Sequence, residues 1–364
     1  MCSVILVMIR QFIWLIALCF ILRATVGAQS RDPSDGGHNK GARKLELRSS
    51  TTTLTLDFVT PDRRGGVWLT GSAWMIRGLI VNDRDGTLTP LTVSGVRSIS
   101  QPQFVTSDIG WMIDGRSLYR TKTAGLSWQQ VKIPGAADIS SVHFVDAFNG
   151  WVGGSGGQIY HTTDGGKSWK NQATGLHYEV TRIRFVDRLN GWASAFFWKQ
   201  DRGGLSALLT TSDGGSTWSA LSNEPTDSAL MVRTFGFINA SEGWALRNPV
   251  GDIMHTSDGG KTWILQYHAE DASLRDIFFL DSREGWALGD SILHTTDGGV
   301  SWVPQRKALP ESCFLERIVF VDRKHGWAVG STCAWRTNDG GINWQEMPSE
   351  WKQRISYDAM LPEQ

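Results

Sequence analysis

The chain has 364 residues, of which 40 are glycine and 18 are tryptophan. This combination favours short strands and tight turns over helices. Lysine plus arginine and aspartate plus glutamate both total 36, so the net charge is zero. The overall charge therefore gives no argument for binding of nucleic acid or of an anionic membrane surface.

The N-terminal residues 1–28 differ in character from the rest of the chain. Arg10 precedes the apolar run 11–22, and Val26-Gly27-Ala28 places small residues where a signal peptidase cleaves. This pattern predicts a secretory signal peptide, with an uncleaved N-terminal anchor as the alternative. The expected location is periplasmic or extracellular. The polar, glycine-rich residues 29–44 are predicted to form a flexible linker.

A unit of about 42 residues repeats along most of the remaining chain. Its first element is a Gly-Trp pair, with Val in place of Gly in the first copy, at Trp68, Trp111, Trp151, Trp192, Trp244, Trp286 and Trp327. Its second element is an Asp-Gly-Gly turn, at Asp164, Asp213, Asp258, Asp297 and Asp339. Each unit is predicted to contain four strands separated by turn residues. The repeat predicts an all-β fold, a seven-bladed β-propeller over 45–350, followed by a C-terminal tail over 351–364.

The five turn aspartates are interpreted as structural. An Asp side chain can accept backbone N–H groups of its own turn, and the glycines can take positive φ. A calcium loop would need alternating oxygen ligands and a later glutamate, and none follows these turns. His161, His255 and His294 share one repeat position in different units, which favours packing over a metal site. We therefore predict no metal and no cofactor.

The element Ser/Thr-x-Asp-x-Gly-x-Ser/Thr-Trp, matched in full by Asp213-Gly-Gly-Ser-Thr217-Trp218, resembles the Asp-box, or bacterial neuraminidase repeat. The combined pattern of Phe144-Val-Asp, Gly150-Trp151 and His161-Thr-Thr-Asp164-Gly-Gly is most similar to the photosystem II assembly/stability factors. The resemblance implies a seven-bladed propeller with Asp-box turns between strands three and four of most blades. It also implies a non-enzymatic scaffold that binds a membrane-protein assembly intermediate. We expect a monomer with a protein partner, no nucleic acid, and at most peripheral contact with a membrane.

A carbohydrate-active protein is the alternative, whether a glycosidase, a sialidase-like enzyme or a lectin-like propeller. Sialidases share the Asp-box but need an arginine triad and a tyrosine nucleophile paired with a glutamate. Tyr178 and Tyr267 are the plausible nucleophiles, yet Glu179 is adjacent to Tyr178, which usually points the two side chains apart. Other glycosidases need two facing carboxylates, and no motif selects such a pair. We predict no catalytic residues.

A candidate partner-binding face is predicted at the end of the propeller where the first strands begin. Four consecutive units place an arginine three or four residues before the repeat phenylalanine, and the fourth unit carries an aromatic and basic insertion at 196–204. The predicted residues are Arg182, Arg184, Arg233, Arg275, Arg317, Trp198, Lys199, Arg202 and Tyr178, with the insertion expected to form a loop between strands two and three. Arginine pairs bidentately with carboxylates, which favours an acidic or polar peptide as ligand. Salt bridges to Glu179, Asp276 and Glu316 are the alternative role of these arginines.

Two cysteines, Cys313 and Cys333, remain after removal of the predicted signal. An even pair in an oxidising compartment predicts a disulfide. Their spacing around the turn near Arg323 places them opposite each other on the first two strands of the seventh unit.

Overall fold

The computed structural model describes most of the repeat region. Described are residues 55–61, 67–72, 78–82, 88–92, 99–175, 177–199, 203–221, 232–247, 251–268, 273–306, 313–330 and 333–347. The predicted signal peptide 1–28, linker 29–44 and tail 351–364 lie outside the described residues.

Seven four-stranded antiparallel sheets form the described part of the chain, and each contains four consecutive strands. Numbered from the N-terminus, sheet one is β1 (Thr55–Pro61), β2 (Val67–Ser72), β3 (Gly78–Asn82) and β4 (Leu88–Thr92), and sheet two is β5 (Ser100–Phe104), β6 (Gly110–Asp114), β7 (Ser117–Thr121) and β8 (Gln129–Val131). Sheet three is β9 (Ile139–Phe144), β10 (Gly150–Gly154), β11 (Gln158–Thr162) and β12 (Lys170–Ala173), and sheet four is β13 (Glu179–Phe185), β14 (Gly191–Lys199), β15 (Gly203–Thr211) and β16 (Ser219–Ala220). Sheet five is β17 (Val232–Phe237), β18 (Gly243–Arg247), β19 (Asp252–Thr256) and β20 (Ile264–Tyr267), sheet six is β21 (Asp276–Phe279), β22 (Gly285–Leu288), β23 (Ile292–Thr295) and β24 (Val303–Arg306), and sheet seven is β25 (Leu315–Phe320), β26 (Gly326–Gly330), β27 (Ala334–Thr337) and β28 (Gln345–Glu346). A short 3-10 turn, Ser155–Gly157, precedes β11. The seven sheets correspond one to one with the repeat units of the sequence.

The repeat tryptophan of each second strand packs against the following sheet. Trp151 stacks on Phe185, with ring centroids 3.5 Å apart and an interplanar angle of 7°. Its indole N–H donates to the carbonyl of Gly214 at 2.9 Å. Gly150 is required before Trp151 because a Cβ there would overlap the Phe144 ring of the same sheet. The stacks that join sheets one to seven in order are Trp68–Phe104, Trp111–Phe144, Trp151–Phe185, Trp192–Phe237, Trp244–Phe279 and Trp286–Phe320.

Sheets seven and one meet through aliphatic packing. Pro61 occupies the strand position in sheet one that Phe144 has in sheet three, as the pairing with the second strand shows. The buried cluster at this boundary contains Val67, Leu69, Trp327, Val329 and Met347, among others. Because each sheet packs on the next and the seventh packs on the first, the arrangement is a β-propeller.

The turns between the third and fourth strands are held by their aspartates. The carboxylate of Asp213 accepts the Thr217 N–H at 2.9 Å and the Thr217 hydroxyl at 2.6 Å. Thr211 donates to the same carboxylate at 2.8 Å, and Gly214 and Gly215 have φ of 73° and 87°. These bonds stabilise the anion and lower the pKa of Asp213 to about 2. Equivalent bonds are made by Asp164, Asp258, Asp297 and Asp339.

The disulfide expected between Cys313 and Cys333 is present, with Cα atoms 5.4 Å apart. The expected location was inaccurate by a few residues. Cys313 precedes β25, and Cys333 follows β26 in the connection to β27. The pairing of the two strands ends at Leu315 with Gly330, so the bond lies just beyond their ends. Both sulfurs are buried, and the Trp335 indole N–H donates to Cys313 Sγ at 3.3 Å.

Candidate functional site

The first strands of all seven sheets surround a cavity of about 720 Å³ along the propeller axis. Residues of β1, β5, β9, β13, β17, β21 and β25 line it. In a propeller each sheet extends radially, so the innermost strand lies nearest the axis. Any ligand inside this cavity therefore contacts side chains from the first strands of several sheets at once.

Arginines dominate the charge of the cavity. Within the described part of the chain, the charged side chains that line it are Arg182, Arg184, Arg233, Arg317 and a single carboxylate, Asp276. Arginine side chains stay protonated in proteins, so the cavity carries an excess of positive charge. We call these four arginines and Asp276 the cavity cluster.

Arg182 has hydrogen-bonding capacity that the described residues leave unused. Its guanidinium carbon lies 5.7 Å from the centroid of the Phe235 ring, and its buried Nε has no hydrogen-bond partner among the described residues. Burial lowers the pKa of Arg182 to about 10, while the negative charge of Asp276 acts in the opposite direction. A buried donor without an acceptor is costly, so a ligand oxygen near this Nε is stabilised.

Arg184 lies two residues further along β13 and also lines the cavity. Its Nη1 donates to the backbone carbonyl of Ile183 at 2.8 Å. Burial lowers the pKa of Arg184 strongly, and the neighbouring charge of Arg182 lowers it further. Each of two adjacent guanidinium groups disfavours the charged form of the other, and an anion bound between them stabilises both charges.

Arg275 takes a different position from the other predicted arginines. Its Nη2 pairs with Asp290 at 2.8 Å, and its guanidinium carbon lies 5.9 Å from the Phe314 ring centroid. Arg275 and Arg233 stand four residues before the repeat phenylalanine, whereas Arg182 and Arg317 stand three before it. Arg233 nevertheless lines the cavity, and burial followed by the charges of Arg275 and Arg317 lowers its pKa.

The predicted loop in the fourth unit is wrong, because most of it is strand. β14 and β15 extend to nine residues each and pair as far as Lys199 with Gly203. The aromatic run from Phe196 has high strand propensity, which continues the hairpin beyond the length found in the other sheets. Phe196 is 43% exposed and lines the cavity.

The remaining predicted site residues are described only in part. Trp198 and Lys199 belong to β14, with their side chains outside the described part of the structure, and Arg202 lies outside it altogether. Tyr178 is half-buried immediately before β13. The sequence interpretation missed that Asp276 lies inside the cavity. The signal was its strand position, three residues before Phe279, which is the position of Arg182 and Arg317 in their own sheets.

Across the described ranges, no group of three or more His, Cys, Asp or Glu side chains is placed to hold a metal ion. The same ranges contain no helix with the length and apolar character needed to span a bilayer.

The fold and the cavity cluster define a β-propeller with an arginine-rich axial cavity. A family model described as photosynthesis system II assembly factor YCF48 matches residues 120–194 and 264–352, which together make up less than half of the chain. The chain is similar to that family of assembly-factor propellers. No curated protein sequence matches it significantly.

Solved structures of similar fold include both binding proteins and enzymes. The structure described as YCF48 bound to D1 peptide is 18% identical, covers 79% of this chain and 94% of its own, and gives a TM-score of 0.63. YCF48 from Cyanidioschyzon merolae is 18% identical, with 79% and 96% coverage and a TM-score of 0.59. A catalytically inactive virginiamycin B lyase from Staphylococcus aureus, with quinupristin, is 14% identical, with 79% and 95% coverage and a TM-score of 0.60. At these identities the comparisons show the shared fold.

Proposed function

We propose that this protein is a non-enzymatic scaffold that captures an acidic or polar segment of a protein partner at its arginine-rich axial cavity. The observation that carries the proposal is the cavity cluster, with four arginines against one carboxylate and an unpartnered Nε on Arg182. Carboxylates are the protein groups that match guanidinium donors in charge and geometry. The segment is that of a membrane-protein assembly intermediate, a partner class supported by the similarity to a propeller solved with a D1 peptide.

The chemistry of the cavity favours binding over hydrolysis of carbohydrate. Glycosidases commonly use two carboxyl groups on either side of the scissile bond. The described residues that line this cavity include one carboxylate, Asp276, and it accepts the Ile318 N–H at 3.0 Å. Because related propellers carry unrelated functions, the lining side chains, and not the fold, support binding over hydrolysis.

Export and a monomeric state complete the proposal. The disulfide between Cys313 and Cys333 supports an oxidising compartment, and residues 1–28 have the sequence pattern of a signal peptide. The propeller acts as a seven-bladed monomer in the periplasm, outside the cell, or in the thylakoid lumen of a phototroph.

The test measures binding of a fluorescein-labelled synthetic peptide that carries several glutamates, by fluorescence anisotropy. Arg182 is half-buried against Phe235, so the variant combines Arg182→Gln, which keeps a polar side chain there, with Arg233→Glu at a more exposed position of the cavity wall. We expect the double variant to weaken binding by roughly tenfold or more, because arginine is enriched among the interface residues whose loss costs about 2 kcal/mol or more.

The matched control is Arg283→Gln with Lys324→Glu, which makes the same change of net charge at two exposed positions in the turns between first and second strands. This control should bind the peptide like the wild type. Equal losses in both variants would show that net charge, and not the cavity, governs binding. Unfolding of Arg233→Glu alone would show that this arginine is structural.

A further inference from the structure

One strand position joins neighbouring sheets around the cavity. In three sheets the side chain three residues before the repeat phenylalanine accepts a backbone N–H from the next sheet. The Val142 N–H donates to Gln101 Oε1 at 3.4 Å, and the Ile183 N–H donates to Ser141 Oγ at 2.9 Å. The Ile318 N–H donates to Asp276 Oδ2 at 3.0 Å.

Sheet six makes this bond with a charged group, whereas the other two use neutral ones. An amide and a hydroxyl therefore suffice for the structural task. Asp276 is only 5% exposed, and burial of a carboxylate is unfavourable unless positive charge compensates it. The bond to the next sheet therefore does not explain why this position carries a charge, whereas the surroundings of Asp276 do.

Those surroundings are the arginines of the cavity cluster. The charge of Asp276 raises the pKa of Arg182, of Arg184 and of Arg233, against the larger effect of burial. The direct hydrogen bonds of the carboxylate go to the Ile318 N–H and, at 3.5 Å, to the Thr234 hydroxyl. Asp276 thus sits beside the arginines as a fixed negative charge within the cavity they line.

We infer that Asp276 is an internal competitor for the anionic ligand, which compensates the arginines in the empty cavity and weakens ligand binding when the cavity is filled. The inference rests on the proposed function and adds a residue that limits how tightly the ligand binds. A ligand carboxylate that enters the cavity gains the attraction of the arginines but is repelled by Asp276. Binding stays reversible, as a scaffold that must release its partner requires.

The test compares wild type with Asp276→Asn, because asparagine keeps an oxygen that can accept the Ile318 N–H. The probe is the fluorescein-labelled glutamate peptide, with an amidated C-terminus. We expect the variant to bind roughly three- to tenfold more tightly at low salt, since one repulsive charge in the same cavity is removed. The gain should shrink between about 50 mM and about 300 mM sodium chloride, where screening strengthens. Equal or weaker binding by a folded variant overturns the inference.

Asp187→Asn is the matched control. It removes one negative charge from the turn after β13, where Asn239 fills the equivalent role in sheet five. An equal gain in this control would show an effect of net charge and would also overturn the inference. Should Asp276→Asn fail to fold, Asp276→Ser, which copies Ser141, replaces it.

A second readout separates the inference from the proposed function. The melting temperature is followed with added sodium sulfate, which supplies an anion without any peptide. We expect sulfate to stabilise Asp276→Asn more than wild type, because its arginines lack their internal counter-charge. If wild type and variant both fail to bind the peptide, the proposed function is wrong. If sulfate stabilises the two proteins equally, the inference is wrong.

Discussion

The indole of Trp151 and the ring of Phe185 lie face to face across the boundary between sheets three and four, with centroids 3.5 Å apart. His161 stacks on the same indole at 4.5 Å, so three rings from two sheets form one contact. Trp151 is fully buried, and such aromatic contacts add to the free energy gained from area burial alone. Stability of the propeller should therefore concentrate at the boundaries between sheets.

Trp151→Ala should lower the free energy of unfolding by about 3–5 kcal/mol, as expected for loss of a buried tryptophan. Urea unfolding followed by circular dichroism measures the change. Trp151→Phe is the control and should lose less, because it keeps a ring against Phe185 but loses the bond to Gly214. A loss below about 1 kcal/mol for the alanine variant would contradict the stacking argument.

The stability should fall in mild acid because of His161. Burial, and next the charge of Lys170, lower the pKa of His161 below its usual 6.5, and its buried Nε2 lacks a partner among the described residues. The folded state therefore favours neutral imidazole. Its contribution is complete above about pH 6.5 and is lost as the pH falls below that value toward the folded pKa.

Thermal melts between about pH 8 and pH 5 test this titration. His161→Phe should reduce the slope of melting temperature against pH, whereas His177→Phe, at an exposed histidine, should leave the slope as in wild type. An unchanged slope in His161→Phe would assign the acid sensitivity to other groups.

Asp213→Ala should lower the melting temperature by a few degrees, because the N–H and hydroxyl of Thr217 lose their acceptor. Asp213→Asn keeps one acceptor oxygen and should lose less. With a folded pKa of about 2 against an ordinary 3.8, the contribution of Asp213 is present above about pH 4 and is lost between about pH 4 and pH 2. Melts with and without a calcium chelator complete the test. A drop caused by the chelator would reassign the turn as a calcium site.

Replacement of both Cys313 and Cys333 by serine should cost about 3 kcal/mol, the value expected for a disulfide that closes a short loop. Chemical denaturation measures this difference. Mass spectrometry of the non-reduced, alkylated protein is the direct check, and two labelled thiols at these positions would contradict the assignment.

Much of the fold follows from the local chemistry of each repeat unit. The Gly150-Trp151 pair and the Asp213-Gly214 turn make contacts within one sheet or with the neighbouring sheet. Their pattern in the sequence alone therefore predicts the strands. The hairpin of β14 and β15 was assigned wrongly because an insertion has no second copy to compare with. Strand propensity of its aromatic residues decided the outcome.

The candidate site was harder to predict because it depends on which face of β13 or β21 meets the axis. The distance from the repeat phenylalanine selected Arg182, Arg233 and Arg317, and all three line the cavity. Arg275 forms an ion pair with Asp290 in the connection between β22 and β23, a contact that the spacing in the sequence could not reveal. Asp276 was recognised as a nearby acid, but its burial among arginines depends on three separate sheets.

The aliphatic boundary between sheets seven and one has a consequence for how the protein is made. Each Trp–Phe stack joins units that follow one another in the chain, so these contacts can form progressively as the polypeptide emerges during synthesis. The boundary around Val67 and Trp327 requires the first and last sheets to meet, and it can form only after the final unit is complete. Until then the face of sheet one that packs on sheet seven is open to other chains. During this interval the protein is most exposed to misassembly.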